Sequence, residues 1–306
     1  MERDSILITG GSGYLGSVLC DLLLRDNISK ERITVADLAR PAHDVRFIKL
    51  DMRDSQLGEE IGRGQTVVHL ASIVKAGRVD EATAQDMREV NLEATKRIAD
   101  ICKEKKARLI LASSCSAYGV RRDGETVDET YPLESTSVYS ETKIRAEQYV
   151  SAIADDYFKP VVLRLATLFG YSQRMSFEPL LNAMIAEAVR SRRIKVISPM
   201  AWRPLVHVKD AARCIASLLD KFKDVSGTFN VGADHLNFRK IDLAQAIVSL
   251  LPTAQIETKT VQGDRSYRVS FAKIKTRLGF LPTESLNSGI SELIASLNSK
   301  STNNTV

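Results

Sequence analysis

Tyr139 and Lys143, in the stretch Tyr139-Ser140-Glu141-Thr142-Lys143, are the pair in this chain best suited to moving a proton. On a helix they stand one turn apart and project from the same face. An ammonium beside a phenol favours the phenolate, which lets the tyrosine exchange its proton more easily. Surface helices carry Tyr and Lys at this spacing with no chemistry attached, so the pair gains meaning only from its surroundings. A second stretch supplies them. Gly10-Gly11-Ser12-Gly13-Tyr14-Leu15-Gly16 follows a short apolar run and opens an apolar-periodic segment. In that setting the glycines allow a tight turn and close backbone approach, so that loop amides and a helix N-terminus face a pyrophosphate. Asp37 closes the next apolar run, at the distance where an acid hydrogen-bonds the adenine ribose hydroxyls. A carboxylate there repels a 2′-phosphate and so favours NAD over NADP, with Arg40 near enough to soften the preference.

The elements that must hold these residues alternate. Residues 5–9 read as a buried strand, followed by the glycine loop and a helix to about Arg25. Further strands are expected over 33–36 ending at Asp37, over 45–50, over 66–70, over 107–112 ending in Ser113-Ser114, and over 160–165. A long helix is expected over 87–105. Near-continuous apolar strands alternating with helices imply an α/β fold, a Rossmann-type doubly wound parallel sheet covered on both faces. Small and polar residues gather at the carboxyl ends of the strands, where such sheets bind ligands. After Gly170 the pattern loosens. Helices are expected over 178–190, 209–219, 240–250, 271–278 and 288–297, and short strands over 194–197, 205–208 and 228–231. This organisation predicts a NAD-binding domain over 1–170 and a smaller, interleaved C-terminal substrate lobe over 171–298, some of whose segments return to the sheet. The tail 298–306 is polar and expected to fray.

Composition sets outer bounds. Of 306 residues, 44% are apolar and 26% charged, the profile of an ordinary globular protein. The net charge of +5 is unclustered, which argues against nucleic acid and suits an anionic small molecule. Cys20, Cys102, Cys115 and Cys214 are widely spaced, with no CxxC pair and no histidine at ligand spacing, against both a zinc site and a disulfide framework. No apolar run approaches a membrane span and no signal-peptide core precedes the first strand, so the expected location is the cytoplasm.

Together, Gly10-x-x-Gly13-x-x-Gly16, Asp51-Met52, Asn91, Ser114 and Tyr139-x-x-x-Lys143 resemble the extended short-chain dehydrogenase/reductase superfamily. Within it the chain resembles the nucleoside-diphosphate-sugar epimerases and dehydratases, of which UDP-galactose 4-epimerase is the familiar member. Arg203-Pro-Leu-Val-His207-Val-Lys-Asp210 is similar to that family's late "RDYIHVxD" segment, and Phe229-Asn230-Val231-Gly232 to its "NvG" turn. The resemblance runs from about Ile6 to Leu297. It implies that Gly10, Gly13, Tyr14, Leu15 and Gly16 hold NAD together with Asp37, that Asp51 and Met52 flank the adenine, and that Leu70, Ala71 and Ser72 line the path beneath the cofactor. Asn91 would buttress the site from the long helix. Ser114, four residues before Tyr118, matches the family's catalytic hydroxyl. It would hydrogen-bond a sugar oxygen while Tyr139 exchanges its proton and Lys143 holds the cofactor ribose and lowers the tyrosine pKa.

The departures narrow the chemistry. Nucleotide-sugar 4,6-dehydratases carry Asp-Glu directly after the catalytic hydroxyl, where this chain has Cys115-Ser116, and decarboxylases forming UDP-xylose use a glutamate in the same loop. Relatives with a catalytic cysteine place it where Ser116 stands, so Cys115 is expected to pack. Thr167 replaces the asparagine of the family's "RxxNxYG" run, which leaves the sugar open. Asn182, Arg203 and Arg268 are candidates for the substrate diphosphate, arginine being suited by its bidentate donors, although each could equally be an ordinary helix or surface residue. Trp202 either walls the pocket or simply packs. His69 and His207 lie within strands and are expected to be satisfied structural residues.

These features point first to a NAD-dependent epimerase that oxidises a nucleoside-diphosphate sugar transiently to a keto sugar and returns the hydride to its other face. A net oxidoreductase, either a 4-keto reductase or a sugar dehydrogenase, would use the same residues with exchanging cofactor. A cofactor-sensing protein without turnover would have no need of Ser114, Tyr139 and Lys143. The family resemblance also implies a homodimer formed through the helices that carry residues 87–105 and 139–155.

Overall fold

The computed structural model describes residues 5–75, 77–121, 125–261 and 264–303. Its first strands are β1 (Ile6–Thr9), β2 (Ile33–Asp37), β3 (Arg46–Lys49), β4 (Thr66–His69) and β5 (Arg108–Ser114). Later come β6 (Thr126–Val127), β7 (Val161–Leu165), β8 (Thr167–Phe169), β9 (Arg193–Ile197), β10 (Trp202–His207), β11 (Gly227–Val231), β12 (Asn237–Arg239), β13 (Gln255–Lys259) and β14 (Arg268–Val269). Seven strands form one sheet in the order β11-β7-β5-β4-β1-β2-β3, every neighbouring pair parallel. The order reverses between β1 and β4, so the chains leaving those two strands diverge and open a crevice at their carboxyl ends. Leu7, Ile8, Val67 and Val68 are fully buried, as strands covered on both faces require.

The helices are α1 (Tyr14–Arg25), α2 (Leu57–Glu60), α3 (Glu81–Met87), α4 (Ala94–Glu104), α5 (Val138–Ala152), α6 (Leu180–Ser191), α7 (Val208–Asp220), α8 (Lys240–Leu250), α9 (Ala272–Leu278) and α10 (Leu286–Asn303). On one face of the sheet, Leu15, Leu19 and Leu23 of α1 share a core with Ala211, Ile215 and Leu218 of α7. On the other, Ile98 and Cys102 of α4 pack with Val150 of α5 and Leu57 of α2. A third core joins α6, α8 and α10 to β9 and β10 through Leu181, Ile185, Val196, Leu205, Leu243 and Ile290. The segments after Gly170 therefore divide: α6, α8, α10 and the small sheets β12-β10-β8 and β13-β9 surround this third core, while α7 and β11 join the large sheet. Among the described residues no helix is long and apolar enough to cross a membrane.

Three expectations are corrected. The long helix starts at Glu81, not at residue 87, because Asp80 caps it by accepting the Thr83 amide at 2.8 Å. It also widens into a π-helical turn over Arg88–Glu93 before continuing as α4. The tail expected to fray from residue 298 continues α10 to Asn303, since no Gly or Pro interrupts it and each added residue closes another hydrogen bond. The strands β8, β12 and β13 escaped the sequence because they are short and lack a continuous apolar run.

One polar interaction ties α5 to the sheet. Glu147 and Arg164 form an ion pair whose side chains are only 5% and 6% exposed. Arg164 Nε donates to Glu147 Oε1 and Oε2 at 3.0 and 3.1 Å, and Ser113 Oγ donates to Glu147 Oε2 at 3.0 Å. Arg164 Nη1 also donates to the Tyr118 hydroxyl at 2.8 Å, which donates onward to Asn230 Oδ1 at 2.7 Å. Burial alone would lower the Arg164 pKa, but the bonds and charge of Glu147 outweigh it and raise it. Removing one partner strands the other charge, so Glu147→Leu is expected to cost about 3–5 kcal/mol by urea denaturation. The double variant Glu147→Leu/Arg164→Met should regain most of that loss.

Candidate active site

Helix α5 begins with a reciprocal cap. Ser137 Oγ accepts the Ser140 amide at 3.2 Å, while Ser140 Oγ accepts the amides of Thr136 and Ser137 at 3.0 and 3.1 Å. The cap fixes the first turn, and Tyr139 lies in it. From there Tyr139, Lys143 and Glu147 recur every four residues and form one stripe along the helix. All three meet the end of β5: Ser114 lies close enough to the Tyr139 hydroxyl to lower its pKa, Lys143 Nζ donates to Ala112 O at 3.0 Å, and Glu147 accepts from Ser113. The Lys143 ammonium lies 5.9 Å from the centroid of the Tyr139 ring. Ser114 and the Tyr139–Lys143 pair, predicted from two separate stretches, are thus brought together.

Lys143 is the dry member of the set, while Ser114 and Tyr139 are half-buried. Lys143 is only 4% exposed, and burial lowers its pKa from the ordinary 10.5 to about 8. Burial pushes the Tyr139 phenol up to about 12, against the lowering effects of Ser114 and of the nearby Arg265 guanidinium. His69 stays neutral, its pKa lowered to about 3 chiefly by burial and then by the Lys143 charge. Its ring nitrogens bond Thr9 Oγ1 at 2.6 Å and Thr95 Oγ1 at 2.9 Å, which makes it the structural residue expected. His207 differs from expectation: Nδ1 accepts the Lys209 amide at 3.2 Å, but Nε2 is buried without a hydrogen bond, 3.7 Å from Glu292 Oε2.

The glycine loop fits a dinucleotide. Gly10 has φ +70°, and a Cβ there would lie 2.6 Å from the Ala71 amide nitrogen, so only glycine lets β1 and β4 diverge this closely. Gly13, by contrast, is exposed and clear of other segments. Its position at the N-terminus of α1 leaves room for a phosphate. Asp37 Oδ2 accepts the Ser12 amide at 3.0 Å and Oδ1 accepts the Ala39 amide at 3.3 Å. This holds the carboxylate at the edge of the loop, where a ribose would lie. Leu15 and Gly16 are buried beneath the loop. Tyr14 reaches away from it: its hydroxyl donates to Gly170 O at 2.6 Å and accepts from Asn182 Nδ2 at 3.0 Å.

Asn91 sits fully buried on the π turn. Its Oδ1 accepts from Ser72 Oγ at 3.1 Å and from the Ile73 amide at 2.8 Å, and its Nδ2 donates to Ile73 O at 2.9 Å. With Thr142 Oγ1 3.4 Å away, Asn91 joins the loop after β4 to α5. Leu70, Ala71 and Ser72 run half-buried from the end of β4 along this crevice. Met52 is buried, whereas the Asp51 carboxylate is clasped by Arg53, which lowers its pKa and links it to Asp86.

The substrate candidates separate. Asn182 spends its amide on Gly170 N, Tyr14 and Ser176 O and therefore acts as a brace within the protein. Arg203 is bonded to Asp264 at 3.0 Å and to the carbonyls of Trp202 and Arg265. Thr167 is half-buried in β8, in register with Leu205. Arg268 places its guanidinium carbon 5.0 Å from the Trp202 ring centroid, and Arg239 lies 5.1 Å from the same ring. The Nε atoms of both are buried without a hydrogen bond. Sequence reasoning missed Arg239, because only the pairing of β12 with β10 brings it beside Trp202. It also missed Ser116, whose buried Oγ has no partner, and Arg265. Cys115 packs as expected: it is buried, its Sγ lies 3.1 Å from Arg164 O, and burial raises its pKa.

A parallel sheet with a glycine-lined crevice and a Ser-Tyr-Lys set at its mouth defines a nucleotide-dependent enzyme of the short-chain dehydrogenase type. The sequence profile of the NAD-dependent epimerase/dehydratase family matches residues 6–232, and the chain belongs to that family. It is 25% identical to the uncharacterized UDP-glucose epimerase YtcB of Bacillus subtilis (strain 168), across 96% of this chain and 98% of that one. It is 26% identical to a probable dTDP-glucose 4,6-dehydratase of Sinorhizobium fredii, across 94% and 91% of the two chains. The UDP-glucose 4-epimerase of Thermus thermophilus, solved in complex with NAD, superposes with a TM-score of 0.81 over 96% of this chain and 99% of that chain, at 22% identity. The cofactor of the family is NAD, and the glycine loop and Asp37 described above suit it.

The buried lysine carries a stability cost whose sign is fixed by its lowered pKa. Below about pH 8 the folded state holds an ammonium that the unfolded chain would hold more comfortably, and between pH 8 and 10.5 that difference disappears. A shift of this size corresponds to roughly 3 kcal/mol. Lys143→Met is therefore expected to raise the unfolding free energy of the cofactor-free protein at pH 7, by up to that amount. The advantage over wild type should shrink as denaturation is repeated from pH 8 to 10.5.

Proposed function

We propose that the protein is a NAD-dependent epimerase of a nucleoside-diphosphate sugar, acting through a transient keto sugar. The observation that carries this reading is the meeting of Tyr139 and Ser114 with the Lys143 ammonium 5.9 Å from the Tyr139 ring, followed at residues 115 and 116 by a buried thiol and a hydroxyl and not by carboxylates. NAD supplies the acceptor for the sugar hydride and the donor that returns it. Tyr139 takes the proton of the sugar hydroxyl and later gives it back. Ser114 positions the sugar oxygen against the phenol, and the free hydroxyl of Ser116 offers a second hydrogen bond in the same turn. Lys143 has two N–H donors left after Ala112 O, which suit the nicotinamide ribose, and its charge favours the phenolate. Elimination of water would require an acid and a base at 115 and 116, so the dehydratase branch of the family is disfavoured.

In this reading residues 1–170 bind the cofactor and 171–298 the substrate, with Arg268 and Arg239 for the diphosphate and Thr167 beside the sugar. Arg203 and Asn182 support them from behind, and Asp51 and Met52 border the adenine. The buried free cysteines agree with a cytoplasmic enzyme, and the family resemblance with a homodimer through α4 and α5.

The test is turnover of UDP-, GDP-, CDP- and dTDP-sugars by protein carrying NAD. A new isomer without net change at the nicotinamide absorbance band is expected. Stoichiometric NADH formation would instead mark a net oxidoreductase, and absence of any product would remove the epimerase. Tyr139→Phe should lower kcat by about 10²- to 10⁴-fold, the usual scale for a lost acid–base group. Unchanged activity in that variant would dismiss Tyr139 from the mechanism.

A further inference from the structure

The substrate side of the site carries a cluster of cations: Arg203, Arg239, Lys240, Arg265 and Arg268. Among the described residues one acid, Asp264, is bonded into the cluster. It holds Arg203 at 3.0 Å and also bonds Lys240. Arg239 and Arg268 share the Trp202 ring, and a diphosphate accounts for both. Arg265 is left over.

The position of Arg265 follows from the chain around it. Residues 266–269 run extended, Ser266 being bridged to Val120 and Arg268–Val269 paired with β6. Along extended backbone alternate residues share a side. Ser266 faces Trp202, whose amide it accepts at 3.1 Å. Arg265 and Tyr267 lie on the opposite side. Tyr267 is buried there, with ring centroid 6.4 Å from Tyr118 and 5.9 Å from the Arg203 guanidinium carbon. That side therefore looks toward Tyr118 and the turn that follows Ser114 at the end of β5. The half-buried Arg265 guanidinium acts electrostatically on Tyr139, on Tyr267 and on Lys240, yet makes no hydrogen bond or ion pair among the described residues. It stands at the reacting end of the site, away from the Trp202 pair.

A half-buried arginine whose donors are unused within the described residues, in a wall already rich in cations, is available to an anion. An anion at the sugar end would engage it. We propose that the sugar of the substrate bears a carboxylate, making the substrate a nucleoside-diphosphate hexuronate, and that Arg265 pairs with that carboxylate. The planar guanidinium fork matches a carboxylate with two parallel hydrogen bonds, which would also fix the sugar ring against Tyr139. A neutral hexose leaves the fork unpaired. This inference rests on the nucleotide-sugar reading and adds the charge of the sugar to it.

The test pairs glucuronate with glucose on each of UDP, GDP, CDP and dTDP. Turnover is followed with NAD-loaded wild-type protein. Binding is measured by calorimetry with NAD-loaded Tyr139→Phe protein, so that affinity is read apart from chemistry. The uronate is expected to be both preferred and isomerised. Arg265→Leu should reduce the uronate-to-glucose ratio of affinities by about 10- to 100-fold, the scale of a charge-assisted pair, and Arg265→Lys should restore part of it. Equal or better use of the neutral sugar by wild type overturns the inference and leaves the epimerase standing. So does an Arg265→Leu effect that is the same for both sugars, which would mark Arg265 as a support for the Tyr139 phenolate. If no nucleotide sugar binds or reacts, the nucleotide-sugar reading falls and this inference with it.

Discussion

The site depends on an ammonium kept where water does not reach it. Lys143 is buried between α5 and β5 with one backbone carbonyl as its described hydrogen-bond partner, and its pKa falls toward neutrality as a result. A lysine placed this way lowers stability and can persist only if its helix is held firmly from elsewhere. One turn further along α5, Glu147 provides the hold. Its carboxylate is saturated by Arg164 and Ser113, and that pair is joined through Tyr118 to Asn230 on β11. The apolar core on the same side, through Val150, adds the usual hydrophobic contribution. The strained charge at one point of the helix and the satisfied pair at the next belong to one stripe of residues.

The same economy of position appears around the cofactor crevice. Gly10 lets two strands part at close quarters, and Asn91 fills the gap on the other side by bonding Ser72 and Ile73. It does so from the π turn, a local departure from regular helix of a kind that recurs at functional sites. Tyr14 and Asn182 then lock the start of α1 to the loop after β8, so the cofactor loop and the segments around the third core share hydrogen bonds. A shift in either region is felt in the other through these few bonds.

Much of this was legible in the chain. The strand–loop–helix glycine motif, the acid closing β2, and the four-residue spacing of Tyr139 and Lys143 are local patterns, and local patterns survive in a sequence. The large sheet was legible for a related reason: strands buried on both faces must be apolar throughout, and those runs stand out. What was missed is of a different kind. The strands β8, β12 and β13 have no distinctive pattern of their own and exist because neighbours pair with them. The π turn leaves no signature in residue types.

The sequence by itself determined the parallel sheet, the dinucleotide loop, and the family to which the chain belongs, because each follows from residue types at short spacing. Tertiary structure decided which charges are free to meet a ligand. Arg203 looked available and is occupied by Asp264, which lies sixty-one residues away. Arg239 and Arg265 carried no motif and stand near the site, one through strand pairing and the other through an extended segment packed beside Tyr118. Whether a guanidinium is spent on an internal carboxylate or left for a substrate depends on contacts between distant segments, and only the folded chain sets those.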